Sequence, residues 1–335
     1  MHPILASASY DATIRFWDLQ SGNPIESVTN KDGQVNAMEI SPDGTLMALA
    51  GWQNLRLIDL YKKMTIANVD AQSLARNVTS LCFVPESTRL LSGGEDQRIR
   101  LWNTRGGQLQ CEKFIDLPAV INSVCVHPNQ TTVFATDGQG CAYQWDTRTH
   151  QPWPIPISGM NFGEHFISIA VNSIGNKVTA ASNHGRLFTW DISAGLVSLL
   201  SPQDHSILFR SIDAKQVIQA HDTYITRVRY TPNGERLATT SADGSVCIWD
   251  ANNLENGKPL AKYEEKIPEN TDKSKQHSVG WVWDCAFTSS SSSKYMIAAS
   301  TDGILRIWDM PAARVHRYCK GHNKPITAMA FRDVF

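Results

Sequence analysis

The chain has 335 residues, 42% of them hydrophobic, which suffices for a substantial core, and its 31 basic and 32 acidic side chains leave a formal charge of −1. That balance offers no basic face for nucleic acid and no polybasic run for an anionic membrane, and no apolar stretch approaches the ~20 residues of a membrane helix. The N-terminus, MHPILASAS, lacks the basic-then-apolar order of a secretory leader, and the seven cysteines are an odd, scattered set without a CxxC, which reads as reduced thiols in a soluble intracellular protein.

Taken in order, the chain repeats one unit. Ile4–Ser9 is an apolar strand with no strand before it, and TIRFWDL (13–19) follows a short turn. The full unit is then an apolar strand, a Pro/Asn/Asp-Gly turn, a second strand, a short turn, and a third strand closing on Trp-Asp. First strands read VNAMEI (35–40), VTSLCF (78–83), INSVCV (121–126), FISIAV (166–171), ITRVRY (225–230) and VWDCAF (282–287). Third strands read LRLIDL (55–60), RIRLWN (98–103), CAYQWD (141–146), RLFTWD (186–191), SVCIWD (245–250) and LRIWD (305–309). Short apolar runs rich in β-branched and aromatic residues, bounded by turn residues, are strands rather than helices. Turns such as Ser41-Pro42-Asp43-Gly44 and Thr231-Pro232-Asn233-Gly234 put glycine where φ must be positive.

The closing tryptophans are Trp17, Trp102, Trp145, Trp190, Trp249 and Trp308, with Ile58 in the second unit, at spacings of 41, 44, 43, 45, 59 and 59 residues. These sit at or above the ~40–45 of a WD repeat. One such unit cannot bury both faces of its sheet, so the units must stack radially. The chain ends on a lone first strand, ITAMAFR (326–332), which completes the blade that Ile4–Ser9 begins and removes two exposed sheet edges. The prediction is an all-β, seven-bladed WD40 β-propeller spanning 1–335 as a single domain, blade one being closed by the C-terminal strand. Insertions at 194–216 and 253–280 interrupt it; the first is apolar enough to pack on the propeller's rim. The second opens with a candidate fourth strand, Pro259–Tyr263, before turning charged and loop-like, and TSSSSS (288–293) reads as a hairpin tip.

In WD repeats a His before the first strand, a Ser or Thr in the second, an Asp in the following turn and the Trp form a hydrogen-bonded chain. Blade one can build it from His322, Ser7, Asp11 and Trp17, and blade six from His221, Thr239, Asp243 and Trp249. Blade three has Ser92, Asp96 and Trp102 but no matching His. A Ser, His and Asp together also resemble a hydrolase triad, but recurrence of an equivalent trio in another blade favours matched buried donors and acceptors. No phosphate loop, zinc-protease, dinucleotide or nucleophile-elbow motif occurs, and the ten His are dispersed. Gly138-Gln139-Gly140 leads into a strand, not a helix, and so does not make the usual phosphate cradle. The expectation is no enzyme, no catalytic residue, no metal and no cofactor.

The residues on either side of the first apolar position of each first strand form a rim pair where the chain enters the innermost strand. They are Gln34/Asn36, Asn77/Thr79, Val120/Asn122, His165/Ile167, Tyr224/Thr226, Trp281/Trp283 and Pro325/Thr327. Most include a polar residue; one is two tryptophans. The packed slots Val282, Cys285 and Phe287 break strict alternation once, which requires a bulge. Trp281 and Trp283 then point away from Val282, toward the propeller entrance, where a Trp pair makes a binding hot spot. The bland alternative is that the 253–280 insertion folds over them. Around the ring, Trp281/Trp283 and Gln34/Asn36 flank His322–Pro325 on one arc suited to protein recognition.

The segment Gly280-Trp281-Val282-Trp283-Asp284-Cys285-Ala286-Phe287, with Gln34-Val35-Asn36-Ala37, Ser92-Gly93-Gly94-Glu95-Asp96, Leu109-Gln110-Cys111 and Ile121-Asn122-Ser123-Val124-Cys125-Val126-His127-Pro128-Asn129-Gln130, resembles the G-protein-β-subunit-like family. This family, also called lethal-with-Sec-thirteen eight, is the small WD-repeat subunit of target-of-rapamycin (TOR) kinase complexes. The likeness spans the chain, including the Ile-for-Trp blade and its Gly51-Trp52-Gln53 turn. It implies a non-catalytic scaffold in TOR complexes one and two, acting in growth and nutrient signalling. Such a subunit clamps an insertion on the kinase-domain C-lobe and steadies the active site. Its implied partners are the TOR kinase domain and other TOR complex subunits, with no nucleic acid and no direct membrane insertion. Its implied location is cytoplasmic, reaching lysosomal or vacuolar membranes only through the complex. The family's entrance-side contact positions map onto Gln34, Asn36, Trp281 and Trp283.

Two other classes compete. A cullin ubiquitin-ligase receptor uses a W-D-x-R motif, which Trp145-Asp146-Thr147-Arg148 fits and Trp102-Asn103-Thr104-Arg105 nearly fits. A heterotrimeric G-protein β subunit needs an N-terminal helix to hold its γ partner, and none is expected before Ile4.

Overall fold

Each repeat folds into an antiparallel sheet in which the first strand lies innermost and the fourth lies at the rim. The computed structural model describes residues 3–31, 33–69, 73–192, 216–265, 280–289 and 294–333. Among them are seven four-stranded sheets, arranged as the blades of a β-propeller. First strands of successive blades contact one another around the axis.

Blade one is built from both ends of the chain. Ile4–Ser9 pairs antiparallel with Ile326–Arg332, with Leu5 opposite Phe331 and Ser7 opposite Met329. The core is a set of layers between blades. One cluster joins Leu55 and Leu57 of blade two to Phe83 and Trp102 of blade three. Another joins Leu305 and Ile307 of blade seven to Leu5, Trp17 and Met329 of blade one. Trp17, Trp145, Trp190 and Trp249 are fully buried in such layers, each large enough to dominate its junction. Turn glycines Gly44 and Gly234 have φ of 71° and 73°, as those sequences require.

Every first strand carries the same irregularity. The pairing register skips Asn36, Thr79, Asn122, Ile167, Thr226, Trp283 and, opposite Ala8 and Ser9, Thr327. A bulge leaves its extra residue unpaired and re-aims the side chain; here the second member of every rim pair is that residue.

The described parts of the two insertions include outer-strand residues of their blades. Gln216, counted as the end of the first, opens the outer strand of blade five, Gln216–Gln219; residues 194–215 lie outside the described residues. Within 253–280, Leu254–Asn256 is a 3₁₀ turn and the outer strand of blade six is Ala261–Tyr263. It starts two residues later than Pro259, which has no N–H to give to a ladder. Residues 266–279 lie outside the described residues, as do 290–293 of the TSSSSS segment.

Candidate functional site: the channel entrance

The bulges bring the rim pairs together at one end of the axial channel. A cavity of about 510 Å³ there is lined by Gln34, Asn36, Trp281, Trp283, His165 and Pro325, among others. Val282 is buried between the two tryptophans, while Trp281 is 44% exposed and Trp283 half-buried. The Trp281 ring stands edge-on to Tyr224, centroids 5.3 Å apart at 84°, a geometry that aromatic quadrupoles favour. The entering backbone is tied down on both sides of the pair. Ser300 Oγ donates to the Gly280 carbonyl at 3.0 Å, and the Thr301 N–H donates to the Trp281 carbonyl at 2.9 Å.

Bulge side chains also stitch neighbouring blades. Thr79 Oγ1 donates to the Ile121 carbonyl at 2.5 Å, Asn122 Nδ2 to the Phe166 carbonyl at 2.7 Å, and Thr226 Oγ1 to the Val282 carbonyl at 2.5 Å. Asn36 belongs to this ring: its Nδ2 reaches Asn77 Oδ1 at 2.9 Å, and Asn77 in turn donates to Glu95 at 3.0 Å. Asn36 therefore has a structural duty that Gln34, exposed on the rim, does not share. Trp283 fills the equivalent bulge with an indole in place of a small hydroxyl or amide.

Tyr10, half exposed and lining the same cavity, has no counterpart in the rim comparison. Its signal is positional: it follows the second strand of blade one as exposed Trp52 follows that of blade two. His322 lies on the expected arc in sequence only, since it is buried, while Pro325 lines the cavity.

The hydrogen-bonded chains have definite geometry. In blade one Trp17 Nε1 donates to Ser7 Oγ at 2.8 Å, Ser7 Oγ meets His322 Nε2 at 2.8 Å, and His322 Nδ1 meets Asp11 Oδ2 at 2.9 Å. Because a carboxylate only accepts, Nδ1 carries the proton, so Nε2 accepts from the Ser7 hydroxyl, a tautomer assigned from the partners. Protonating Nε2 leaves the Ser7 hydroxyl facing two donors. Burial pulls the His322 pKa below the usual histidine range, with Asp11 opposing the shift only in part. Blade six repeats the chain: Trp249 Nε1 to Thr239 at 3.0 Å, Thr239 to His221 Nε2 at 2.7 Å, and His221 Nδ1 to Asp243 at 3.0 Å. Blade three keeps the Trp102–Ser92 bond at 2.8 Å, but Asp96 turns to Arg100 Nη1 at 2.7 Å. Ser7 is fully buried, so a substrate has no path to its hydroxyl. Among the described residues no cluster of His, Cys, Asp and Glu has a metal-holding arrangement.

In Trp145-Asp146-Thr147-Arg148 the arginine folds back on its own aspartate, with Nη2–Oδ2 2.6 Å and Nε–Oδ1 3.0 Å. Trp145 Nε1 donates to the Thr149 carbonyl at 3.2 Å. These bonds close a local turn.

Known proteins show the family. The family described as WD domain, G-beta repeat, matches at residues 1–18, 69–103, 213–250 and 270–309. A Drosophila melanogaster protein named Protein LST8 homolog is 31% identical over 332 residues, covering 98% of this chain and 96% of its own. The Bos taurus Target of rapamycin complex subunit LST8 is 32% identical over 84% of this chain and 80% of its own. The Saccharomyces cerevisiae protein of the same name is 30% identical over 74% of this chain and 77% of its own. These names give no support to the ligase-receptor reading. By repeat, closure and similarity along nearly its whole length, the chain belongs to the LST8 family.

Proposed function

We propose that this propeller is a non-catalytic scaffold subunit of TOR complexes, in the growth and nutrient signalling those complexes carry out. Trp281, Trp283, Gln34 and Asn36 grip the C-lobe of the kinase domain and steady its active site. The observation that carries the reading is the exposed Trp281 beside Trp283 on a cavity wall shared with Gln34 and Asn36. Aromatic area of this kind, with amides beside it and a polar surround, is how binding energy concentrates in an interface. A scaffold role also agrees with a Ser-His-Asp trio whose serine is buried. Among the described residues no helix is long and apolar enough to cross a membrane; we place the protein in the cytoplasm, at endomembranes only through its complex.

The test is co-precipitation of the TOR kinase domain by Trp281→Ala/Trp283→Ala, beside a thermal melt of the same variant. Each hot-spot truncation costs ~2–4 kcal/mol, roughly a thirty- to thousand-fold loss of affinity. Lost binding with an unchanged melt is the expected result. Unchanged binding sinks the interface; a melt lowered by many degrees makes both rings core.

A further inference from the structure

Two cavities run along the propeller axis and meet at one side chain. Arg227 is in the wall of the entrance-side cavity and also of a second one, about 310 Å³, that continues past Glu39, Cys82, Arg229 and Tyr230. It directly follows the Thr226 bulge of blade six, and its side chain is 22% exposed. Its Nε is buried and, among the described residues, has no hydrogen-bond partner.

The neighbouring carboxylate does not supply one. Asp284 Oδ1 is 3.6 Å from Arg227 Nε, too far for a hydrogen bond. That oxygen already accepts from Arg229 Nε and the Cys285 N–H, both at 2.8 Å, while Oδ2 accepts from Arg229 Nη2 at 2.9 Å. Asp284 is thus satisfied by the arginine two residues along. Glu39 lines the second cavity, and burial there pushes its carboxyl pKa up, which makes it a poorer counter-ion. A guanidinium whose Nε donor is out of water and unmet is a costly arrangement, and its edge matches the paired oxygens of a carboxylate or phosphate.

We infer that the axial channel holds a small oxyanion, of carboxylate or phosphate chemistry, on the guanidinium of Arg227. That side chain lines both cavities. The oxyanion is either a free anion or an acidic side chain reaching in from a docked partner, since both present the same oxygens. The site does not depend on the kinase reading above.

The full chain is titrated calorimetrically with inorganic phosphate and, separately, with malonate, at constant ionic strength. Saturable one-to-one binding of at least one is expected. Arg227→Gln should weaken it by about tenfold or more, the worth of one charge-assisted hydrogen bond. Arg227→Lys keeps the charge but not the planar edge and should also weaken it; this variant serves as the readout if the glutamine variant fails to fold. Binding of neither anion, or equal binding in wild type and the folded variants, overturns the site. Repeating the titration with the TOR kinase domain present separates the two sources. Competition assigns the site to a partner carboxylate, and unchanged affinity assigns it to a free anion.

Discussion

Arg229 and Asp284 join blades six and seven through two side-by-side bonds of 2.8 and 2.9 Å, one residue from Trp283. Burial opposes ionisation of Asp284, but the Arg229 and Arg227 charges outweigh it and hold the carboxyl below its usual range. The strand bearing the Trp pair is thereby clipped to its neighbour. Asp284→Ala strands a half-buried guanidinium and should cost ~1–3 kcal/mol, whereas Arg229→Met with Asp284→Leu should recover much of that loss. Urea denaturation of the two variants checks this; a single variant as stable as wild type would show that the pair is dispensable.

Gln34 and Asn36 should separate under mutation although they share a rim. Asn36→Ala removes the bond to Asn77 and should lower stability by ~0.5–1.5 kcal/mol. Gln34→Ala should leave the melt unchanged while weakening capture of the kinase domain. Equal melts for both variants would mean the Asn36 bond contributes nothing across the blade junction.

Acid should loosen blade one in two stages. His322 has its folded pKa lowered by burial, and Asp11 is held at about 2 because bonds from Thr13 and His322 outweigh its burial. With both folded values below the unfolded ones of ~6.5 and ~3.9, each group's contribution is present above its unfolded pKa and lost as pH falls, His322 first. Stability should therefore decline from about pH 6.5 downward, and His322→Gln should show a shallower slope between about pH 6.5 and 5. Parallel slopes would place the titration elsewhere. At pH 7, Asp11→Ala should cost ~1–3 kcal/mol by leaving buried donors unpaired.

Removing residues 325–335 should be far more damaging than trimming a frayed end. The lost strand carries buried Ile326, Ala328, Met329 and Ala330 and pairs with Ile4–Ser9, so the cost should be several kcal/mol. An unchanged melting temperature would contradict it.

The repeat made the blades and their closure readable, because apolar alternation and a recurring Trp are local signals. The Trp pair was readable by comparison within the chain, since the same bulge recurs in each first strand. Other features join residues that meet only when the ring closes. Glu39 of blade two and Arg227 of blade six face one cavity across 188 residues of sequence, and no local pattern announces that. The Asn36–Asn77 bond has the same character: each asparagine reads as a free rim amide until its neighbouring blade is in place. Pro259 fits the apolar pattern of a strand, but it has no N–H for the ladder, and the strand begins at Ala261.

The pairing of Ile4–Ser9 with Ile326–Arg332 also sets an order in time. During synthesis at ~5–20 residues per second, the first strand made waits tens of seconds for the strand that completes its sheet. Until then a growing row of blades carries two raw sheet edges, the kind that recruits strands from other chains. The propeller is thus exposed to aggregation until its last strand is delivered, and a chaperone that shields open edges would have to act until the ring closes.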